Sequence, residues 1–295
     1  MAQNVTELVQ SNYGAFFHVL DDEDLASLHE ILLAIYIDIS SVCERYGFRL
    51  ILGGGSALGA IRHNGFIPWD DDIDLIMLRD EYDKFLDIFD KELSDKYYLL
   101  APNSKNGANC FVARIMKKGT TFLSMFDVGT RYPHCVYVDI CPVDYASNIK
   151  LIRYLKGFLA DSLRFISYSV YWCKYQNVHI RMYMNFKLKT RLYYNFRLFI
   201  GMCFSCISYK KWFDVFDKFI RGKESNFLTI AAGRKKYYKE TLKKDVFIPP
   251  RRVIFETTVA YVPNNYDLYL RNLYNEYMII PAIDKHEVHI CVEFK

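Results

Sequence analysis

The sequence predicts an α+β fold, a sheet flanked by helices with a basic, aromatic-rich helical insertion. Three observations lead there. Long stretches with apolar residues at three- and four-residue steps alternate with short apolar runs of strand length. The acids Asp72 and Asp74 alternate with Ile73 and Leu75, which is strand periodicity. Charge divides the chain into three parts: residues 1–149 carry 12 Lys/Arg against 22 Asp/Glu, residues 150–223 carry 15 against 3, and residues 224–295 carry 11 against 9. The net charge of +4 conceals this asymmetry, and the middle part is a separate electrostatic object. We therefore divide the chain into a core over 1–149, an insertion over 150–223, and a segment over 224–295 that completes the core.

The first element is a long amphipathic helix. Leu25, Leu28, Ile31, Leu32, Ile35, Ile39 and Val42 form its stripe, with Asp21 or Asp22 as cap and Gly47 as terminator. Phe48 to Leu52 reads as a short strand. Gly53 to Gly55 form a turn, and Ser56 is expected to cap a short helix through Arg62. A loop containing Pro68 leads into a strand over Asp72–Leu78. Asp80 to Leu93 is a second helix, burying Tyr82, Phe85, Leu86 and Phe89. Short strands follow around 97–100, 110–116, 120–126 and 135–141, and residues 150–223 read as mainly helical.

With 52% apolar residues, the chain can bury a core and is not disordered. The N-terminal stretch shows no basic region followed by an apolar block, and the apolar stretch Leu198–Ile207 is half a bilayer span. A cytoplasmic protein is expected. The eight Cys are scattered; Cys203 and Cys206 form a CxxC with no second pair to complete a zinc site, so reduced, mostly buried thiols are expected. In 150–223, Arg and Lys are interleaved with Tyr, Phe and Trp. One reading is a helical subdomain packed on its aromatics. The sharper one is a peripheral contact with anionic membrane lipid or a lipid-linked acceptor at the inner face of the membrane. No recognition motif accompanies the charge, so nucleic acid is not expected as a partner.

The chemistry concentrates between Gly53 and Asp74. Asp72 and Asp74 point to one face of a strand while Ile73 and Leu75 are buried on the other, which makes a clamp for a hard divalent cation. Three adjacent acids, Asp70, Asp71 and Asp72, repel one another unless something cationic compensates. Their apolar flanks argue against an open solvated loop. A calcium loop is the rival: Asp70, Asp72, Asp74 and Glu81 occupy positions 1, 3, 5 and 12, but position 6 is Leu75 where the turn needs glycine. Asp139 sits in the apolar run Val136–Cys141. It either shares a metal with Asp72 and Asp74 or hydrogen-bonds to a neighbouring backbone group or Arg. The Gly turn at a helix N-terminus offers N–H groups to phosphate, or is simply a tight turn. Arg62 and His63 either contact phosphate or form a salt bridge to Asp70 or Asp71. Trp69 stacks on a ligand or is core.

The run Gly54 to His63, continuing from Trp69 to Asp74, resembles the signature of the LicD family, which includes bacterial phosphocholine transferases, fukutin and fukutin-related protein. Val138 to Asp144 resembles the family's second block. Phe255-Glu256, Tyr269-Leu270, Tyr274 to Met278, Pro281 and His289 resemble its C-terminal block. Cys141, Asn275, Ala282 and His286 depart from the usual residues, but the acids are intact. The resemblance implies a nucleotidyltransferase (DNA polymerase β-like) mixed sheet flanked by helices. It implies Mg²⁺ (or Mn²⁺) on Asp72, Asp74 and Asp139. Donor contacts are implied for Gly54, Gly55, Ser56, Arg62, His63, Trp69 and Asp71, with Glu256 and His289 carried over from the resemblance alone. The donor would be CDP-choline or another CDP-alcohol, and the acceptor a glycan hydroxyl, as in lipopolysaccharide or teichoic acid. Two other readings stay open: transfer of NMP from NTP to a small molecule, and a membrane-associated glycan-assembly subunit without catalysis.

Overall fold

A computed structural model describes residues 14–282, 286 and 290–295. Its centre is a seven-stranded mixed sheet of order β2-β3-β7-β5-β4, from which β7 runs on to pair with β8, and β8 with β9. The strands are β2 (Ile51–Leu52), β3 (Asp74–Leu78), β4 (Tyr97–Leu100), β5 (Ala113–Lys117), β7 (Tyr137–Ala146), β8 (Phe227–Thr229) and β9 (Thr241–Lys243). Only β3 and β7 pair in parallel; the remaining pairs are antiparallel. Small antiparallel pairs complete the fold: β1 (His18–Val19) with β12 (Ile290–Cys291), β6 (Phe122–Leu123) with β13 (Glu293–Phe294), and the hairpin of β10 (Arg251–Phe255) and β11 (Thr258–Val262).

Helix α1 (Asp22–Tyr46) forms where the stripe predicts it. Asp21 caps it through the N–H groups of Glu23 and Asp24, and Gly47 closes it in the left-handed conformation. By length and composition α1 is apolar enough to cross a bilayer, but Leu28, Leu32, Ile35 and Ile39 join the sheet residues in one core. Helix α2 (Gly54–His63) is capped by Gly53, without a side-chain cap. Ser56 is therefore not the cap expected from sequence: it lies a turn inside, and its Oγ accepts from the N–H of Asp74 at 2.8 Å. The strand after it starts at Asp74 rather than Asp72, and β7 runs to Ala146, five residues beyond the expected end. The run near 120–126 contributes only β6. Helix α3 (Arg79–Glu92) buries Tyr82, Phe85 and Phe89.

The basic segment forms α4 (Lys150–Lys174), α5 (Val178–Asn185), α6 (Leu188–Phe204) and α7 (Tyr209–Ile220). Tyr171, Phe213, Phe216 and Phe111 gather there into a second aromatic core. A buried ion network joins it to the sheet. Arg79 at the end of β3 donates to both oxygens of Asp144 on β7 and to Asp217 on α7, each at 2.8 Å. Three short or peripheral helices follow: α8 (Lys236–Lys239), α9 (Lys244–Phe247) and α10 (Tyr266–Tyr274).

Candidate functional site

The parallel pairing of β3 with β7 places Asp74 opposite Asp139. Residues in register on neighbouring strands project to the same face. Ile73 and Leu75, like Val138 and Ile140, are buried on the other face. Asp72, in the loop two residues before Asp74, lines the same cleft. Gly54, Gly55, Asp72, Asp74 and Asp139 line one cleft of about 370 Å³.

The turn before α2 is built around Asp74. The N–H of Gly53 donates to the Asp74 carbonyl at 2.9 Å, and the N–H of Gly55 to its carboxylate. The N–H of Gly54 donates to the Tyr269 hydroxyl at 3.0 Å. The helix N-terminus is thus directed at a carboxylate, a favourable placement for negative charge. Against this, burial and then the Asp139 charge push Asp74 up to about 6. Asp72 is open to solvent at the cleft mouth. The packed walls around it, then the charges of Asp74, Asp70, Asp71 and Asp139, still lift it well above the ordinary carboxylate range. The carboxylates of Asp70, Asp71 and Asp72 lie within 4.8 Å of one another.

Asp139 is held by Arg114, whose Nε and Nη2 donate to its two oxygens at 3.0 and 3.1 Å. Arg114 lies 3.7 Å from the centre of the Tyr137 ring and reaches Asp127 at 3.5 Å. The Arg bond to Asp139 expected as one alternative is therefore present, alongside the approach of Asp139 to Asp74. The loop that carries Asp70–Asp72 is braced from two sides. His29 donates to the Asp70 carbonyl at 2.7 Å and stacks on Phe66 with ring centres 4.0 Å apart. The Oε1 of Glu256 accepts from the N–H of Phe66 at 2.8 Å.

Residues 47–151 match the family model described as LicD/FKTN/FKRP, nucleotidyltransferase domain. The likeness to the LicD family is therefore carried by this segment, about a third of the chain. Within the chain, 57 residues are 56% identical to a protein of Haemophilus influenzae named lipopolysaccharide cholinephosphotransferase LicD. That match covers 19% of this chain and 22% of the relative, so it spans about a fifth of the relative's length.

The remaining residues of the LicD signature fall into two places. Arg62, His63, Trp69 and Glu256 are not among the described residues that line the cleft. Arg62 donates to the Tyr277 carbonyl at 2.9 Å and to the Nε2 of His63 at 2.9 Å, and Trp69 stacks on His286 at 3.5 Å. These side chains tie the signature loop to the C-terminal block. His289 lies outside the described residues. Asp144, last acid of the second LicD block, is a partner of buried Arg79 and not of the cleft.

Three charged cleft residues escaped the sequence reading: Arg114, Arg234 and Glu240. Arg114 carries a signal that was available, a charge inside the apolar strand Ala113–Lys117. Glu240 is 4% exposed, and its Oε1 accepts from the N–H of Lys235 at 2.5 Å. A Cβ on Gly233 would lie 2.2 Å from its other oxygen, so glycine is required for this close approach. Glu240 thereby holds the turn carrying Arg234, whose positive charge acts on Asp74 and Tyr274. Burial first, against the Lys235 bond and the Arg164 charge, pushes Glu240 up to about 7.

Proposed function

We propose that this chain is a phosphotransferase that moves phosphocholine, or a related phospho-alcohol, from a CDP-linked donor to a hydroxyl of a cell-surface glycan such as lipopolysaccharide or teichoic acid. The observation that carries the reading is the register of Asp74 with Asp139 on adjacent parallel strands, inside the segment that matches LicD. A D-x-D strand beside a third acid, preceded by a Gly-Ser turn, also supports a nucleotidyltransferase-type core.

The donor set suits a divalent cation. It consists of hard carboxylate oxygens, and a bound cation offsets the burial and the neighbouring negative charge that raise Asp72 and Asp74. Asp139 retains acceptor capacity beyond its two bonds to Arg114, since an ionised carboxylate offers about four lone-pair sites. Asp72, Asp74 and Asp139 would hold Mg²⁺ or Mn²⁺, which when bound neutralises phosphate charge and eases deprotonation of the acceptor. Arg114 orients Asp139 through its two hydrogen bonds. Arg234, fixed by Glu240, adds a cation for the donor's phosphates. In the transfer, the acceptor oxygen bonds to the phosphorus carrying the choline, the bond from that phosphorus to CMP breaks, and the hydroxyl proton passes to water or to Asp139.

The test follows the leaving group. Full-length protein with Mg²⁺ and glycan acceptor is expected to release CMP from CDP-choline, and Asp74→Asn or Asp139→Asn to lower the rate on the order of 10²–10³-fold. Pyrophosphate release from an NTP, with none of CMP from CDP-choline, would overturn this reading in favour of nucleotidyl transfer.

One observation favours a peripheral membrane position as well. Leu151, Phe158, Leu192 and Met202 on α4 and α6 are all more than 60% exposed, among Lys150, Arg153, Lys189 and Arg191. An apolar face edged by cations suits an anionic lipid surface. The protein is expected to float with phosphatidylserine vesicles at low salt and to stay behind with phosphatidylcholine alone. No flotation on either would refute it.

A further inference from the structure

Beside the catalytic cleft lies a second cavity of about 400 Å³. The two share Cys110, Arg114 and Tyr168 in a common wall. Its far wall comes from the basic segment, with Tyr171 and Trp172 on α4 and Tyr193 and Arg197 on α6. Two of its lining residues are buried polar groups with unmet bonding. Arg197 is 9% exposed, and its Nε donates to the Tyr193 hydroxyl at 2.7 Å. Its guanidinium lies 4.5, 4.7 and 5.1 Å from the ring centres of Phe165, Trp172 and Tyr193. Its Nη1 has no hydrogen-bond partner, and no carboxylate pairs with it among the described residues. Asn109 is 6% exposed. Its Nδ2 donates to Asp127 at 2.8 Å, while its Oδ1 accepts from nothing.

A buried guanidinium without a counter-ion is costly, and ring faces offset only part of that cost. We propose that this cavity is the acceptor subsite and that it takes a hexose unit bearing a phosphate or carboxylate. The inference rests on the phosphotransferase reading above. The anion pairs with Arg197, a ring hydroxyl donates to the Oδ1 of Asn109, and the apolar face of the sugar lies on the aromatic wall. The position fits: Arg114 bonds to Asp139 in the cleft and reaches Asp127 at the cavity, so a sugar held there sits at the acidic end of the cleft. A choline ammonium is disfavoured beside Arg197, whose charge pairs with no carboxylate among the described residues.

Calorimetric titration of the full-length chain with glucose, glucose 6-phosphate, glucuronate, CMP and CDP-choline tests the assignment. An acidic sugar is expected to bind at least tenfold more tightly than glucose. Arg197→Gln is expected to remove that preference and leave CDP-choline affinity unchanged. Arg197→Lys keeps the charge and is expected to retain part of the preference, which separates lost charge from lost fold. Equal binding of acidic and neutral sugars would overturn the proposal, as would an undiminished preference in Arg197→Gln. So would competition by CMP that depends on Arg197, since it assigns the cavity to the donor. If the acidic sugar binds through Arg197 but CDP-choline does not bind at all, the sugar site stands and the donor reading falls.

Discussion

Replacing Glu240 by Gln is expected to stabilise this protein at pH 8 and to change little at pH 4.5. Glu240 is almost fully buried, and burial is the largest cause of its rise from an ordinary 4.5 to about 7. The folded state therefore prefers the protonated acid. Below pH 4.5 both states hold the proton and nothing is lost. As pH climbs through the window from 4.5 to about 7, the unfolded chain ionises first, and the folded protein loses stability relative to a neutral isostere. The displacement is worth about 3 kcal/mol once pH exceeds the upper value. Gln keeps an oxygen where Oε1 accepts from the N–H of Lys235, so the turn that carries Arg234 keeps its anchor. Glu240→Ala removes that acceptor as well and forfeits about 1–3 kcal/mol of the gain. Urea unfolding of the wild type and both variants at the two pH values measures these differences. A Gln variant less stable than the wild type at pH 8, or equally more stable at both, would refute the burial argument.

Two further expectations concern the frame and the floor of the site. Arg79→Met leaves buried Asp144 without its cation and Asp217 with Arg221 alone, and unfolding free energy is expected to drop by about 3–5 kcal/mol. A loss under about 1 kcal/mol in urea would mean that water satisfies those carboxylates. Gly54→Ala puts a Cβ 2.3 Å from an oxygen of Asp74, at a positive φ of 42°. Stability should fall by about 1–3 kcal/mol, and the displaced carboxylate should cut CMP release on the order of tenfold or more; unchanged release would show that Asp74 is not placed as described.

Much of the frame was legible because its causes are local. A stripe at helical spacing, an Asp cap and a terminal glycine act over a few residues, and α1 appears where they predict it. The same holds for Asp74, whose alternation with buried Ile73 and Leu75 follows from the pleat, although β3 begins at Asp74 and leaves Asp72 in the preceding loop. Where the reading failed, a distant partner decided. Ser56 looked like a cap by position, yet its hydroxyl is taken by Asp74, eighteen residues on in sequence. Glu256 entered by resemblance, and the fold sets it under Phe66 as a brace for the acidic loop.

By itself, then, the chain's order of residues determined that Asp74 alternates with buried Ile73 and Leu75, that residues 150–223 are mainly helical, and which family model the 47–151 segment matches. Only the tertiary structure decided that Asp139 meets Arg114 as well as Asp74, that Glu240 and Arg234 close the cleft, and that Arg79 binds acids 65 and 138 residues away. The reason is physical. Periodicity and capping are short-range constraints on one chain segment, whereas charge pairing and burial depend on which segments the fold brings together, and no local pattern encodes that distance.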